Sequence, residues 1–276
     1  MEKKIAATEP VHFFDITSSL PGPAKSWSPN TLKTRLVLNY KRIPYTQSFI
    51  SYPDIAAILK ELSVPPLASI APYTLPAIIH KPSVTSNPSG AMNDSFPIAV
   101  HLEEAFPAPS YPSIFPSGDA SYALAVAVDK IMLDVIIKSR PLYLPKVPLI
   151  LDERGSKYFY ETREKWFGKP VSEIAPKSAE EAEVAWREVE KELEPVVKML
   201  KGKKKSEKRG PFLEGDKVGY ADFMVVGFLA WFDRIDRDVF EKLMRTGDGV
   251  FKALWDASKQ WVDGQGEEKE WPVPRT

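Results

Sequence analysis

The chain has 276 residues, with 37 basic and 37 acidic side chains, a formal net charge of +0 and no cysteine. This length fits one large domain or two ordinary ones. The balanced charge gives no reason to expect a nucleic acid or an anionic membrane surface as a partner. The lack of cysteine excludes disulfides, zinc-thiolate sites and cysteine nucleophiles, so any thiol chemistry must use the thiol of a ligand.

The chain has two parts that differ in composition. Of the 26 prolines, 17 fall in residues 1–116, whereas 57 of the 74 charged residues fall in the remaining 160. The change occurs at a segment rich in proline and serine, which is typical of a linker. We therefore predict a first domain at residues 1–108, a linker at 109–119 and a second domain at 120–276.

Apolar periodicity predicts alternating strands and helices in the first part and helices alone in the second. The strands of the first part are expected at 11–16, 45–51, 75–79 and 90–93, and its helices from Pro29, at 55–62 and from Asp94 or Ser95. The helices of the second part are expected at 122–139, 179–200, 220–235, 240–244 and 250–261. An α/β piece followed by an all-helical piece is a distinctive pairing.

The first motif that could take part in chemistry consists of Ser28, Pro29 and Asn30. Serine is a common N-cap, and proline fits the first helical position because the N–H it lacks would be unpaired there. The positive end of a helix also stabilises a thiolate. A helix cap is the simpler interpretation of Ser28, and a hydroxyl that binds a ligand thiolate is the functional one.

Two further motifs lie at the start of the expected third strand and at the start of the third helix of the first part. Pro76 follows Leu75 at the start of an apolar strand, where a bend with a cis peptide would present the backbone of Leu75 to an extended peptide ligand. Asp94 and Ser95 begin a helix, where a carboxylate and N–H donors could hold an α-amino and an α-carboxylate group. An ordinary strand start and an ordinary N-cap are the simpler alternatives.

Together these motifs resemble the cytosolic glutathione transferases, and in particular the fungal FuA class, whose relatives are the bacterial lignin β-etherases. The resemblance runs from about Phe13 to Trp261 and is carried by residues 14–16, 27–35, 39–45, 52–55, 73–76 and 219–223. It implies a thioredoxin-like α/β domain that binds glutathione, followed by an all-α domain.

The resemblance also implies roles for individual residues. Ser28 takes the position of the catalytic serine that donates to the glutathione thiolate, and Asn30 flanks it. Leu75 would pair its backbone with the cysteinyl part of glutathione, before a cis-Pro76. The γ-glutamyl end and the glycyl carboxylate would be held by residues in the positions of Asp94, Ser95 and Lys41.

The sequence departs from the family at two positions. Arg42 replaces the glycine that usually follows Lys41, and Gly219 replaces the hydroxyl residue that usually opens the capping box ending at Asp222. Serines at positions 18, 19 and 26 keep the choice of Ser28 open. The three histidines, at positions 12, 80 and 101, lack the spacing of metal ligands, so we expect no metal.

The leading hypothesis is a serine-type glutathione transferase that acts in detoxification. It would conjugate glutathione to hydrophobic aromatic substrates, or perform peroxide or aryl-ether chemistry. The alternatives are a ligandin-type binding protein for polyphenolic or other hydrophobic molecules and, less favoured, a protein-interaction scaffold. The resemblance implies a homodimer. The N-terminal residues lack the apolar stretch of a signal peptide, and charges interrupt the longest apolar run, so we expect a soluble cytoplasmic protein.

Overall fold

The structure is a computed structural model that describes residues 9–203 and 209–274. Residues 1–8, 204–208 and 275–276 lie outside these ranges. The second gap covers most of a segment rich in lysine and arginine at residues 201–209. Within the described ranges the chain forms five strands and ten α-helices. The strands are β1 Val11–Ile16, β2 Tyr45–Ile50, β3 Ala77–Ile79, β4 Ala91–Asn93 and β5 Glu267–Glu268. The helices are α1 Pro29–Lys41, α2 Ile55–Glu61, α3 Ser95–Ala105, α4 Asp119–Lys138, α5 Arg140–Tyr143, α6 Glu153–Phe167, α7 Val171–Ile174, α8 Ala179–Lys201, α9 Tyr220–Ile235 and α10 Arg237–Val262. Helix α10 is interrupted by non-helical backbone at residues 246–249, between the two helices expected there from the sequence.

Two compact units share these elements. The first comprises Met1–Ser113, Leu151–Tyr158 and Trp261–Thr276, and the second comprises Ile114–Ile150 and Phe159–Gln260. The chain therefore returns to the first unit twice, at the start of α6 and again after α10. The predicted α/β part followed by a helical part is confirmed.

The first unit is built on a mixed sheet with the strand order β4-β3-β1-β2-β5. Strand β1 pairs parallel with β2 and antiparallel with β3, which in turn pairs antiparallel with β4. Strand β3 begins at Ala77, two residues later than expected, because Pro76 has no N–H for the ladder. The peptide bond between Leu75 and Pro76 is cis.

Strand β5 was not expected from the sequence. It pairs parallel with β2, so a piece of the C-terminal segment closes one edge of the sheet. Behind it, the Trp271 ring lies 4.8 Å from the rings of both His12 and Phe14. The sequence of this segment lacks the alternation of apolar and polar residues that predicts a strand. It is a strand only because it pairs with β2.

The second unit is an all-helical bundle centred on α9. Helix α4 packs against α8 and α9, and every residue from Tyr220 to Phe232 is buried. The Asp222 carboxylate accepts hydrogen bonds from the N–H groups of Gly219 and Leu213 at 2.8 Å each, while the Asp222 N–H, whose hydrogen bond the missing hydroxyl would have accepted, donates to the Gly219 carbonyl at 3.1 Å. The core helix thus keeps one half of the capping box.

No helix in the described ranges is long and apolar enough to cross a membrane.

Candidate functional site

Three predicted motifs meet at one end of the sheet in the first unit. Strand β1 runs toward the turn that leads into α1, and its register places Phe14 beside Ala77. In the pairing of β3 with β4, Ala77 lies beside Asn93. The start of β3 and the end of β4 therefore lie at the same end as the start of α1, so this end carries Ser28, Leu75 and Asp94.

Ser28 is the N-cap residue of α1 and is 6% exposed. Its side chain makes no cap hydrogen bond to the helix, and Pro29 occupies the first helical position. The cap interpretation therefore does not account for the hydroxyl, although the Ser28 carbonyl does accept the first helical bond from Leu32 at 2.9 Å. The hydroxyl lies at the positive end of a 13-residue helix.

The neighbouring serines have other roles. The Ser18 hydroxyl donates to the Lys25 carbonyl at 2.9 Å, and the Ser26 hydroxyl donates to the Asp15 carboxylate at 2.5 Å. Both protons are thus used within the protein, whereas Ser19 is exposed. These bonds favour Ser28 over Ser18 and Ser26 as the serine that faces a ligand, and Ser19 stays an alternative.

Leu75 is buried and lies outside the ladder that starts at Ala77. The Pro76 carbonyl accepts a hydrogen bond from the Asp94 N–H at 3.2 Å, which joins the second motif to the third. The peptide unit of Leu75 is therefore placed next to the start of α3, in the position where an extended peptide ligand could add to the sheet.

Asp94 and Ser95 form the third motif. Asp94 precedes α3 with φ of 77°, and its side chain makes no cap hydrogen bond. Ser95 is the first residue of the helix and is buried. A carboxylate beside the N–H groups of a helix start offers one group for an ammonium and another for an anion.

The two remaining predicted residues differ in their placement. Asn30 is exposed in the first turn of α1, close to Ser28 in the chain. Lys41 ends the same helix, roughly 18 Å from its start. Its buried ammonium lies 2.6 Å from Glu103 and 2.9 Å from the carbonyl of Pro112. Lys41 is therefore not brought together with Ser28.

Arg42, which replaces the family glycine, adopts φ of 55° at the end of α1. This is the left-handed conformation in which glycine is favoured. The turn shape is thus kept without the glycine.

Sequence reasoning missed a buried polar cluster beneath the start of α1. It contains Asp15, Ser26, Thr31 and Arg35, all of which are 0% exposed. Burial raises the pKa of Asp15, while hydrogen bonds from Ser26 and Thr31 and the charge of Arg35 oppose that rise. The one feature of the sequence that pointed to this cluster is the carboxylate of Asp15 inside a mostly apolar strand.

The histidines, although far apart in the sequence, include one close pair. The Ser83 hydroxyl lies 2.5 Å from His80 Nδ1 and 2.8 Å from His101 Nε2. Burial lowers the pKa of both histidines. No group of three potential metal ligands occurs among the described residues.

The family model for the C-terminal domain of glutathione S-transferases matches residues 123–261. The glutathione S-transferase-like protein ustS of Aspergillus flavus is 55% identical over 267 residues, which is 96% of each chain. The chain belongs to the glutathione S-transferase family. The predicted family is confirmed.

Solved structures of fungal glutathione transferases share the fold. One, from Ceriporiopsis subvermispora in complex with glutathione, is 31% identical with a TM-score of 0.77, over 92% of this chain and 98% of that one. Another, GSTFuA3 from Phanerochaete chrysosporium, is 27% identical with a TM-score of 0.77, over 92% of this chain and 97% of that one. The predicted thioredoxin-like domain and all-helical domain are thus confirmed.

Proposed function

We propose that this glutathione transferase activates glutathione with the hydroxyl of Ser28. The observation that carries the proposal is the position of this hydroxyl, which sits at the start of α1 without serving as a cap. A hydroxyl that donates to a sulfur stabilises the thiolate over the thiol, because a charge-assisted hydrogen bond is stronger than a neutral one. The positive end of the helix acts in the same direction.

Glutathione would bind along the end of the sheet described above. The backbone of Leu75 would pair with the cysteinyl residue, while Asp94 and Ser95 would hold the γ-glutamyl ammonium and carboxylate. The Ceriporiopsis relative, which contains glutathione, supports glutathione as the co-substrate. We leave Lys41 out of this set because its ammonium is already bonded to Glu103 and Pro112.

The chemistry is nucleophilic attack by sulfur. The thiol loses its proton to solvent, the thiolate forms a bond to an electrophilic carbon, and the leaving group departs with its electron pair. With a peroxide the thiolate attacks one oxygen, the O–O bond breaks with loss of an alcohol or water, and a second glutathione turns the sulfenic acid into glutathione disulfide and water. With an aryl ether the thiolate attacks the ether carbon, the C–O bond breaks and an aryloxide leaves. Ser28 donates a hydrogen bond to the sulfur and takes no part in the covalent step.

An aromatic second substrate is supported by a series of aromatic rings in the first unit that begins at Trp27, the residue before Ser28 in the chain. The ring of Trp27 lies edge-on to Tyr52 at 6.3 Å, and Tyr52 stacks on Tyr158 at 6.1 Å. Both tyrosines are half-buried. Arg154 holds the start of α6 in place through a bidentate pair with Asp54 at 2.6 and 2.9 Å.

A homodimer is supported by an apolar stripe on α4. Tyr122, Val126, Leu133 and Ile137 are 46%, 49%, 50% and 37% exposed, and they lie on one face of the helix. Exposed Asp129 lies between the two pairs on the same face, so the stripe consists of two apolar patches, and exposed apolar patches typically mark an interaction surface. We propose that a second copy of this chain covers the stripe.

A ligandin-type role is the second candidate, and a cavity in the helical unit favours it. The cavity of about 650 Å³ has the size of a small-molecule site. The cavity is lined by Pro141, Pro145 and Trp186. Two ion pairs also line it, Lys146 with Asp236 and Lys242 with Glu183. Tight binding of a polyphenol that Trp186→Phe abolishes, with negligible turnover, would favour this role.

The proposed function is tested by steady-state conjugation of glutathione to chlorodinitrobenzene. We expect Ser28→Ala to lower kcat/KM by at least about tenfold, and Ser18→Ala to stay close to the wild type. Equal rates for the wild type and Ser28→Ala would remove Ser28 from the mechanism.

A further inference from the structure

Asp15 lies at the centre of the buried polar cluster in the first unit. The Ser26 hydroxyl donates to its Oδ2 at 2.5 Å, and the N–H of Ile16 donates to its Oδ1 at 2.7 Å. The Thr31 hydroxyl also lies within hydrogen-bonding reach of this carboxylate. A carboxylate with several donors in a site without water is held firmly in place.

These donors flank Ser28 on both sides in the chain. Ser26 precedes it by two residues, and Thr31 follows it by three. The Thr31 hydroxyl also donates to the Ser28 carbonyl at 3.1 Å. The carboxylate therefore holds the segment before Ser28 through Ser26, and the Thr31 hydroxyl beside it holds Ser28 through its carbonyl.

The charge of Asp15 is balanced by Arg35, the second charged residue of the cluster. Arg35 Nε donates to the carbonyl of Gly264 at 2.6 Å. Its Nη1 and Nη2 are buried and make no hydrogen bond within the described residues. The guanidinium charge thus acts on Asp15 through the low-dielectric interior rather than through a direct bond.

We propose that Asp15 is the positioning residue for Ser28: its carboxylate fixes Ser26, two residues before Ser28, beside the Thr31 hydroxyl that holds the Ser28 carbonyl, and thereby sets where the Ser28 hydroxyl points. The inference rests on the proposed role of Ser28. A donor that must meet a sulfur at hydrogen-bond distance loses its effect when its segment shifts by about 1 Å. A carboxylate that served only the fold would change stability and leave turnover per folded molecule intact.

The test is Asp15→Asn, which keeps the size of the side chain and removes one acceptor. The expected result is a kcat lower by about tenfold, with the KM for glutathione within about twofold, since Leu75, Asp94 and Ser95 are unchanged. The pKa of the bound glutathione thiol, read from the ultraviolet absorbance of the thiolate, should rise.

A matched control separates positioning from instability. Asp222 is another fully buried carboxylate that accepts two N–H bonds, but it lies in the second unit. Asp222→Asn should lower the urea midpoint and leave the thiol pKa unchanged. If Asp15→Asn behaves in the same way, the positioning role is wrong. A lower thiol pKa in Asp15→Asn would also overturn it, since the uncompensated charge of Arg35 would then dominate.

A second variant covers the case in which Asp15→Asn does not fold. Ser26→Ala combined with Thr31→Val removes both hydroxyls and leaves the carboxylate, and it should reproduce the lower kcat and higher thiol pKa. A double variant with wild-type kcat and thiol pKa would contradict the proposal. Failure of the proposed function itself is distinguishable, because Ser28→Ala would then equal the wild type, and both proposals would fall.

Discussion

The ammonium of Lys41 lies 2.6 Å from the carboxylate of Glu103, and this pair ties the end of α1 to α3. Lys41 is 0% exposed and Glu103 is 20% exposed, while Ser113 donates a hydrogen bond to the same carboxylate. Burial lowers the pKa of Lys41, and Glu103 opposes that change. The pair gives Lys41 a structural role, and we propose that this role takes the place of binding glutathione.

The first prediction concerns this pair. Lys41→Met should lower the free energy of unfolding by roughly 3 kcal/mol, because Glu103 and the carbonyl of Pro112 lose their buried partner. The KM for glutathione should stay within about twofold. Urea unfolding and steady-state kinetics measure the two effects.

Lys198→Met is the control for this prediction. Lys198 pairs with Glu194 at 3.4 Å on the surface of α8, with side chains that are 76% and 61% exposed. Removing that pair should change stability by less than about 1 kcal/mol. If Lys41→Met raised the KM for glutathione tenfold or more without loss of stability, Lys41 would be a ligand of the glycyl carboxylate after all.

The second prediction concerns the stacked tyrosines. Tyr158→Ala removes the ring that stacks on Tyr52, so the KM for chlorodinitrobenzene should rise by about fivefold. Tyr158→Phe keeps the ring and should remain near the wild type, and the KM for glutathione should not move in either variant. An equal change in both variants would point to the hydroxyl instead of the stacking surface.

The third prediction concerns the apolar stripe on α4. Val126→Asp combined with Leu133→Asp places two charges on side chains that are about half exposed. Light scattering should give twice the mass of the chain for the wild type and the mass of one chain for the variant, because a desolvated charge opposes association. Lys252→Asp is the control, because Lys252 is exposed on α10 and forms an i,i+4 pair with Asp256. A monomeric wild type would refute the dimer.

The fourth prediction concerns pH. Burial, and after it the charge of Lys269, lowers the pKa of His12 from 6.5 to about 4. Between these values the unfolded chain binds the proton and the folded chain does not, so stability falls as pH drops from 6.5 to 4 and then levels off. After allowance for the partial exposure of His12, this loss is roughly 1–2 kcal/mol.

His12→Gln tests that prediction. Urea midpoints measured across the interval should fall less steeply with decreasing pH for this variant than for the wild type. The slope should not vanish, because His80 and His101 have lowered pKa values for the same reason. Identical slopes would show that His12 is not the group that titrates.

Local signals predicted much of the first unit. Ser28 and Pro29 define the start of α1 through capping chemistry that operates within one turn. The apolar runs at β1 and α9 likewise coincide with the observed elements, Val11–Ile16 and Tyr220–Ile235. Family resemblance, rather than any one motif, singled out Ser28, Leu75 and Asp94 together.

The rest depends on contacts between distant residues. Strand β5 exists because residues 267–268 pair with 46–47, more than two hundred positions away. The bond from Ser26 to Asp15 joins the segment before α1 to the end of β1, and no periodicity of the sequence predicts it. Helix α6 was missed because its sequence is polar along most of its length, with Phe159 as its buried anchor.

The central claim is that the Ser28 hydroxyl stabilises the glutathione thiolate, and a pH titration of bound glutathione tests it most directly. The absorbance of the thiolate should give a pKa well below the value of about 8.5 for a free thiol in the wild type. In Ser28→Ala the pKa should lie about 1 to 2 higher than in the wild type, because one charge-assisted hydrogen bond is lost. The same pKa in both proteins would contradict the account.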